Sequence, residues 1–252
     1  MNDIAVVSVI VPCYNYGNYL NDCLSSLACN GYPYLEVIVV DDLSTENKIP
    51  DSTKWLGFNS EMITIYHKQN KGVAATINTG IRASHGDFIM IVSADDMITP
   101  NGIIGRLAMF AEHPELEVIY GPMLKVQGSA GYEETVAGMG KLAIHPSKYT
   151  VPLYRRSVFQ RFGLIHEPLR SKEDKEMQVR LGVHRKTFQK KPLVNFARCD
   201  FPVYFYRRHE LAQRKRRSSD LMFDIQTIME FDKRCKDIEI NGINAGNTEL
   251  LK

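Results

Sequence analysis

Three adjacent pairs of carboxylates, Asp41-Asp42, Asp95-Asp96 and Glu173-Asp174, are the side chains best suited to chemistry in this chain. The first two pairs each follow directly on a run of apolar, largely β-branched residues, Leu35 to Val40 and Phe88 to Val92. Adjacent carboxylates repel, so a site that keeps both ionised needs a cation beside them. Oxygen ligands without a cysteine partner favour Mg or Mn over zinc. A hard divalent ion held by one or two carboxylates leaves the rest of its shell to water and phosphate, a common grip on a nucleoside diphosphate. The competing reading is that acidic residues at strand ends merely cap loops and following helices. Two such pairs at the same edge of one sheet favour function.

The surrounding pattern supplies that edge. Val6 to Val11 is too apolar for a strand with one wet face and stops at Pro12. Asn18 can cap a helix through Leu27, with Tyr19, Leu20, Cys23, Leu24 and Leu27 on one stripe. Leu35 to Val40 and Ile63 to Tyr66 read as strands, and Asn70-Lys71-Gly72 leads into a helix bearing Val73, Ile77 and Ile81. After a fourth strand, Phe88 to Val92, Pro100 opens a helix that closes at His113-Pro114. This alternation predicts a parallel α/β sheet with its ligand site just past the strand carboxyl ends.

The second half is less regular. Val118 to Tyr120 reads as a strand, whereas Gly128 to Lys148 holds four glycines and reads as a loop or small excursion near the site. Ser171 can cap a helix from Lys172 to about His184, placing Glu173 and Asp174 where the helix dipole favours carboxylates. Val203 to Tyr206 is a strand running into Arg207-Arg208-His209, and Ser218 or Ser219 can start a last helix. No repeat or linker divides the chain.

Composition bounds the answer. The 252 residues are 44% hydrophobic and 24% charged, enough for one sizeable core and against global disorder. Lys+Arg 31 against Asp+Glu 29 gives a net charge of +2, too balanced to imply by itself a nucleic-acid or membrane partner. Five cysteines without CxxC or zinc spacing predict free thiols in a reducing compartment. No window reaches the roughly 18 apolar residues of a spanning helix. The start Met1-Asn2-Asp3 lacks signal-peptide features. A soluble, cytoplasmic protein is expected.

Val7-Ser8-Val9-Ile10-Val11-Pro12-Cys13-Tyr14-Asn15, Glu36 to Ser44 with its Asp41-Asp42, Asn70-Lys71-Gly72 through Asn78-Thr79-Gly80, and Ala83 to Phe88 through Ala94-Asp95-Asp96 occur in that order. Together they resemble the family 2 glycosyltransferases of GT-A fold, and the likeness resumes at Arg155 to Gly163 and at Glu173-Asp174. The resemblance implies an α/β fold with a Rossmann-like, mainly parallel central sheet flanked by helices and a small C-terminal acceptor-side region. It implies a single domain over residues 1–252, with 1–120 binding the nucleotide sugar, 121–217 serving acceptor and base, and 218–252 forming a helix and tail.

The implied activity is inverting, Mn2+- or Mg2+-assisted transfer of a sugar from a nucleotide-diphosphate donor, foremost a UDP-sugar, to a hydroxyl of a saccharide or lipid-linked acceptor. Tyr14 would stack near the uracil and Asp41 would accept from its ring nitrogen. Pro12, Asn15, Lys71, Asn78, Arg207 and Arg208 would complete the donor site. Asp96 would bind metal, and Asp95 the ribose and metal edge. Ser93 stands where many members carry a further Asp, and Ile77 where an arginine is common. Lys71 would then supply positive charge near the donor, its plainer reading being a solvated loop lysine. Asp174 would be the general base, with Glu173 the competing assignment and first-turn helix carboxylates the plainer reading of both. His209, in the segment resembling the one that closes over the donor, either ligates the metal or touches the diphosphate. A surface histidine beside two arginines is the alternative.

Arg207 to Arg217, followed by an apolar-faced helix, has a second reading as a peripheral contact with the inner face of the membrane. A solvated charge run beside a packed helix is preferred to it. Nucleic acid lacks an aromatic platform or recognition module. Rival functions are a degenerate nucleotide-sugar binder, suggested by Ser93, and a receiver-like signalling domain, suggested by Val39-Val40-Asp41-Asp42 after the second rather than the first strand. Nucleotidyltransferase and dinucleotide oxidoreductase readings fail because Pro12 to Gly17 supplies no glycine-rich phosphate loop.

Overall fold

The computed structural model describes residues 4–49, 61–145, 150–168, 173–183 and 192–209, with the backbone alone for 173–175. Its first half runs β1 (Val7–Cys13), α1 (Gly17–Ala28), β2 (Leu35–Asp41), β3 (Glu61–Tyr66), α2 (Val73–Ala83), β4 (Phe88–Ile91), β5 (Met97–Ile98) and α3 (Ile104–Glu112). Then follow β6 (Val118–Tyr120), β7 (Met123–Gln127), α4 (Tyr132–Ala137), β8 (Ile144–His145), β9 (Leu153–Arg155), α5 (Arg156–Phe162), α6 (Glu173–Arg180), β10 (Phe196–Arg198) and β11 (Tyr204–Arg208).

Every side chain from Val7 to Val11 is buried, as a strand covered on both faces requires. β1 lies inside a seven-stranded sheet of order β10-β6-β9-β4-β1-β2-β3. Period-two alternation sorts the helices. Val7, Val9 and Val11 face the core that holds Leu20, Leu24 and Leu27 of α1 and Phe110 of α3. Ile10, with Ile38 and Val40, faces Ala74, Ile77 and Ile81 of α2, Val158 and Phe159 of α5, and Met177 of α6. A four-stranded sheet, β5-β11-β7-β8, packs Met97, Leu124, Val126 and Phe205 against Tyr132 of α4.

The mainly parallel, helix-flanked α/β sheet is as expected, with specific departures. β9 runs antiparallel to both β4 and β6. β1 continues through Pro12 to Cys13. β4 pairs with β1 only from Val7 to Ile10, so Pro12 sits where β1 is an edge on that side and proline is tolerated. Asn18 is not a cap, since α1 begins at Gly17 without a side-chain cap bond. Residues 100–103 form turns, and the helix begins at Ile104, not at Pro100. The stretch Gly128 to Lys148, expected as a loop, contains α4 and β8. α6 ends at Arg180, short of His184. Ser171, the basic run from 210 onward, the helix after Ser218 and Cys235 lie outside the described residues. Cys13, Cys23, Cys29 and Cys199 are free thiols. Among the described residues no helix is long and apolar enough to cross a membrane.

Two close approaches set the helices. A Cβ on Gly17 would lie 2.0 Å from the carbonyl oxygen of Lys48, so α1 starts against the 47–48 loop. A Cβ on Gly80 would lie 2.3 Å from Cγ2 of the fully buried Ile10, so glycine lets α2 lie directly on β1. Alanine favours a helix interior by about 1 kcal/mol, but overpacking costs roughly 1–3 kcal/mol. Gly80→Ala is therefore expected to lower unfolding free energy by about 1–2 kcal/mol in urea titration. An unchanged or raised midpoint would refute this packing account.

Candidate functional site

The carboxyl ends of β1 and β4 and the turn before α2 enclose a cleft of about 460 Å³. Its walls are Pro12, Cys13, Tyr14 and Tyr16 after β1, Asp42 after β2, Asn70 to Val73 with Thr76 at the start of α2, Ser93 after β4, and Glu167-Pro168. Tyr14 is 38% exposed, leaving a ring surface open for stacking. Burial pushes the Cys13 thiol up to about 12, so this part of the wall stays uncharged.

The first acid pair is satisfied by protein donors. Asp41 accepts from the hydroxyl of Ser44 and, at 3.2 Å, from its N–H. Ser44 in turn accepts from Asn15 N–H, while Asn15 Oδ1 accepts from the N–H groups of Thr45 and Glu46. Asp42 is buried and takes the N–H groups of Lys71 and Gly72, each at 2.8 Å. Its Oδ1 also pairs with His67 Nδ1 at 2.8 Å, and His67 Nε2 meets Thr79 Oγ1 at 3.0 Å. Asp42 thus shapes the turn that presents Lys71 to the cleft, and no cation is needed to offset its charge.

The second pair divides its labour. Asp96 is buried; its Oδ2 meets the Tyr204 hydroxyl and its Oδ1 accepts from Arg207 N–H at 2.7 Å. Burial first, and the neighbouring Asp95 second, push its carboxyl well above the usual range. Asp95 accepts from Ser93 Oγ and pairs through Oδ2 with His209 Nε2 at 2.9 Å. The His209 side chain is only 4% exposed, with its ring 4.5 Å from that of Tyr19 and 5.5 Å from that of Tyr16. His209 Nδ1 is buried without a hydrogen-bond partner among the described residues. His209 is therefore an inward-facing group, not the surface histidine of the alternative reading.

Three expected donor residues, Pro12, Tyr14 and Lys71, line the cleft. Two others are corrected by their burial. Arg207 is a structural cation: its side chain is fully buried, donating to Asp22 at 3.0 Å, to the Asp95 carbonyl and to the Ala130 carbonyl, with Tyr19 beneath it. Asn78 is buried and exchanges two hydrogen bonds with the backbone of Ile165 while donating to Glu167. Asn15 and Asp41 shape the loop after β2, and Arg208, its Nε buried, is not in the cleft wall. Glu173 and Asp174 open α6, with side chains outside the description.

Sequence reasoning missed Glu167 in the cleft wall and the buried pair Glu176–Arg180 that anchors α6. Arg180 donates to Glu176 at 2.8 Å and to the carbonyls of Phe162 and Gly163. The i,i+4 spacing of Glu176 and Arg180 was a readable signal. Glu167 offered none.

A hard ion needs oxygen or imidazole donors facing one point. Among the described residues no group of three or more His, Cys, Asp or Glu converges on one, but Asp95 and His209 face each other. One carboxylate, Asp95, and the imidazole Nε2 that faces it at 2.9 Å, completed by phosphate oxygens and water, would fit Mn2+ or Mg2+.

Residues 8–167 match the family described as Glycosyl transferase family 2. Glycosyltransferase GlyG of Streptococcus pneumoniae serotype 4 is 32% identical over 127 residues, 50% of this chain and 42% of that protein. Uncharacterized glycosyltransferase YibD of Escherichia coli K12 is 33% identical over 100 residues, 40% of this chain and 29% of that protein. The chain thus matches less than half the length of these relatives. S. aureus TarS 1–349, solved also with UDP and with UDP-GlcNAc, superposes with a TM-score of 0.66 at 21% identity, over 91% of this chain and 64% of that one. Mannosyltransferase PcManGT from Pyrobaculum calidifontis, in complex with GDP-Man and Mn2+, gives 0.60 at 14% identity, over 90% and 64%. These likenesses establish a GT-A fold, and the family match spans well over half of the sequence: the chain belongs to glycosyl transferase family 2.

Proposed function

We propose that this chain transfers a sugar from a UDP-sugar to a hydroxyl of a saccharide or lipid-linked acceptor, with inversion and with a divalent ion. The observation that carries the reading is the meeting of Asp95 and His209, 114 residues apart, joined through Ser93 to the wall of a cleft of about 460 Å³. The UDP and UDP-GlcNAc complexes of TarS support the donor class, and the Mn2+ complex of PcManGT supports the ion. In this reading Pro12 and Tyr14 take the base, with Asp41 as acceptor for its ring N–H, and Lys71 adds positive charge near the donor. Asp95 and His209 hold the ion; Asp96, expected from the sequence as the metal ligand, has both oxygens engaged by β11 and positions them instead. When bound, the ion supplies charge neutralisation on the leaving diphosphate.

Inversion by direct displacement needs a base on the face opposite the leaving group, and Asp174 at the first turn of α6 is assigned that role, with Glu173 beside it. Residues 1–120 then serve the donor and 121–217 the acceptor and base. Arg207 and Asn78 are left out of the donor contacts.

Calorimetric titration with UDP, GDP and dTDP, each with and without Mn2+, tests the reading. UDP is expected to bind with metal dependence; no binding of any nucleotide by the folded protein would overturn it. Asp95→Asn is expected to weaken metal-dependent UDP binding about tenfold or more, whereas Asp96→Asn, which keeps its shape, should change it less than about threefold. Equal losses would contradict the division of roles. Asp174→Asn is expected to leave UDP affinity intact and to lower kcat by roughly 10²-fold or more in a transfer assay. A matching loss of donor affinity would remove Asp174 from the base role.

A further inference from the structure

Among the described residues two carboxylates line the cleft, Asp42 and Glu167. The first is consumed by His67 and by the turn at Lys71 and Gly72. Glu167 differs. Its Oε1 accepts from Asn78 Nδ2 at 3.1 Å and from Arg82 Nη2 at 3.2 Å, and among the described residues nothing donates to Oε2. The Asn78 amide first, and Arg82 after it, hold this carboxyl below the usual carboxylate range. It is a poor proton acceptor but a permanent hydrogen-bond acceptor.

The backbone before it is anchored, while the Glu167 side chain itself is 45% exposed. Asn78, itself buried, donates to Ile165 O at 2.7 Å and accepts from Ile165 N–H at 3.0 Å, two residues before Glu167. The two bonds to Oε1 orient this half-exposed anion against the side of α2, with Lys71 near enough to lower its pKa further. An anion so oriented repels a diphosphate and favours a neutral group rich in O–H donors. The exposed ring of Tyr14 offers the flat surface for a base, and Ser93 leads to the Asp95–His209 edge where a diphosphate would go. The α2 side, with Glu167, is left for the sugar.

We propose that Glu167, clamped by Asn78 and Arg82, is a specificity-determining residue that accepts hydrogen bonds from the hydroxyl groups of the transferred sugar. This rests on the cleft being a UDP-sugar site, and the test separates the two. Wild type, Glu167→Gln and Arg82→Ala are titrated with UDP, UDP-glucose, UDP-galactose and UDP-GlcNAc in the presence of Mn2+. Glu167→Gln is expected to bind UDP like wild type but to bind the preferred UDP-sugar about tenfold more weakly. Arg82→Ala, which loosens the clamp from a half-exposed position, should shift the same ratio in the same direction by less. An unchanged ratio of UDP-sugar to UDP affinity in both variants, including equal losses for both ligands, overturns the proposal while leaving the donor reading standing. Wild type that binds none of the nucleotides overturns both. If Glu167→Gln fails to fold, the ratio measured for Arg82→Ala decides.

Discussion

The carboxylate of Asp96 is the joint on which the site depends. The backbone N–H of Asp96 closes the turn after β4 on the Ser93 carbonyl, and both carboxylate oxygens are engaged by β11, through the Tyr204 hydroxyl and the Arg207 N–H. Those bonds fasten the smaller sheet to the carboxyl edge of the larger one, and they fix the register at which β11 delivers His209. Arg207 strengthens the same joint from beneath, reaching Asp22 on α1 and the carbonyls of Asp95 and Ala130. Removing one member of such a buried network strands the others, which is why buried polar joints specify geometry more than they add stability.

The adjacent acid pairs show how a fold can keep neighbouring carboxylates without a cation for each. In both pairs the second residue turns inward. Asp42 accepts two backbone N–H groups and His67, and Asp96 is held by β11 with its carboxyl pushed towards the neutral form. The first residue, Asp41 or Asp95, is left to a local serine, Ser44 or Ser93. The repulsion that argues for an ion from sequence is thus relieved in large part by protein donors. What still argues for an ion is narrower: one carboxylate, Asp95, facing one buried imidazole.

The donor half was legible because its determinants are local. Runs such as Val7 to Val11 and Leu35 to Val40 are short, apolar and bounded by polar residues, so the order of strands and helices follows from periodicity. Site residues in either half were less legible where their fate depends on partners far away in sequence. Arg207 looks like a surface cation beside Arg208 and His209, and only the position of Asp22, 185 residues earlier, makes it buried. Asn78 sits in a motif but turns towards Ile165, 87 residues on. β8 and β9 are too short for a periodic signal, and α4 is a six-residue helix among glycines.

The same dependence on distant partners governs the acceptor side. α6 carries Glu173 and Asp174 in its first turn, and its last residue, Arg180, is buried against Glu176 and the carbonyls of Phe162 and Gly163. Burial pushes the Glu176 carboxyl up, and the adjacent guanidinium opposes that rise. Such a pair returns little net stability, since its desolvation offsets most of its attraction. Its contribution is directional: a helix held only by Met177 and by Leu181 just past its end could slide along an apolar surface, whereas a planar guanidinium shared between one carboxylate and two carbonyls admits one pose. A carboxylate proposed to take a proton at a fixed angle to a leaving group needs that kind of constraint, because an error of about 1 Å can lower a rate by roughly 10²-fold.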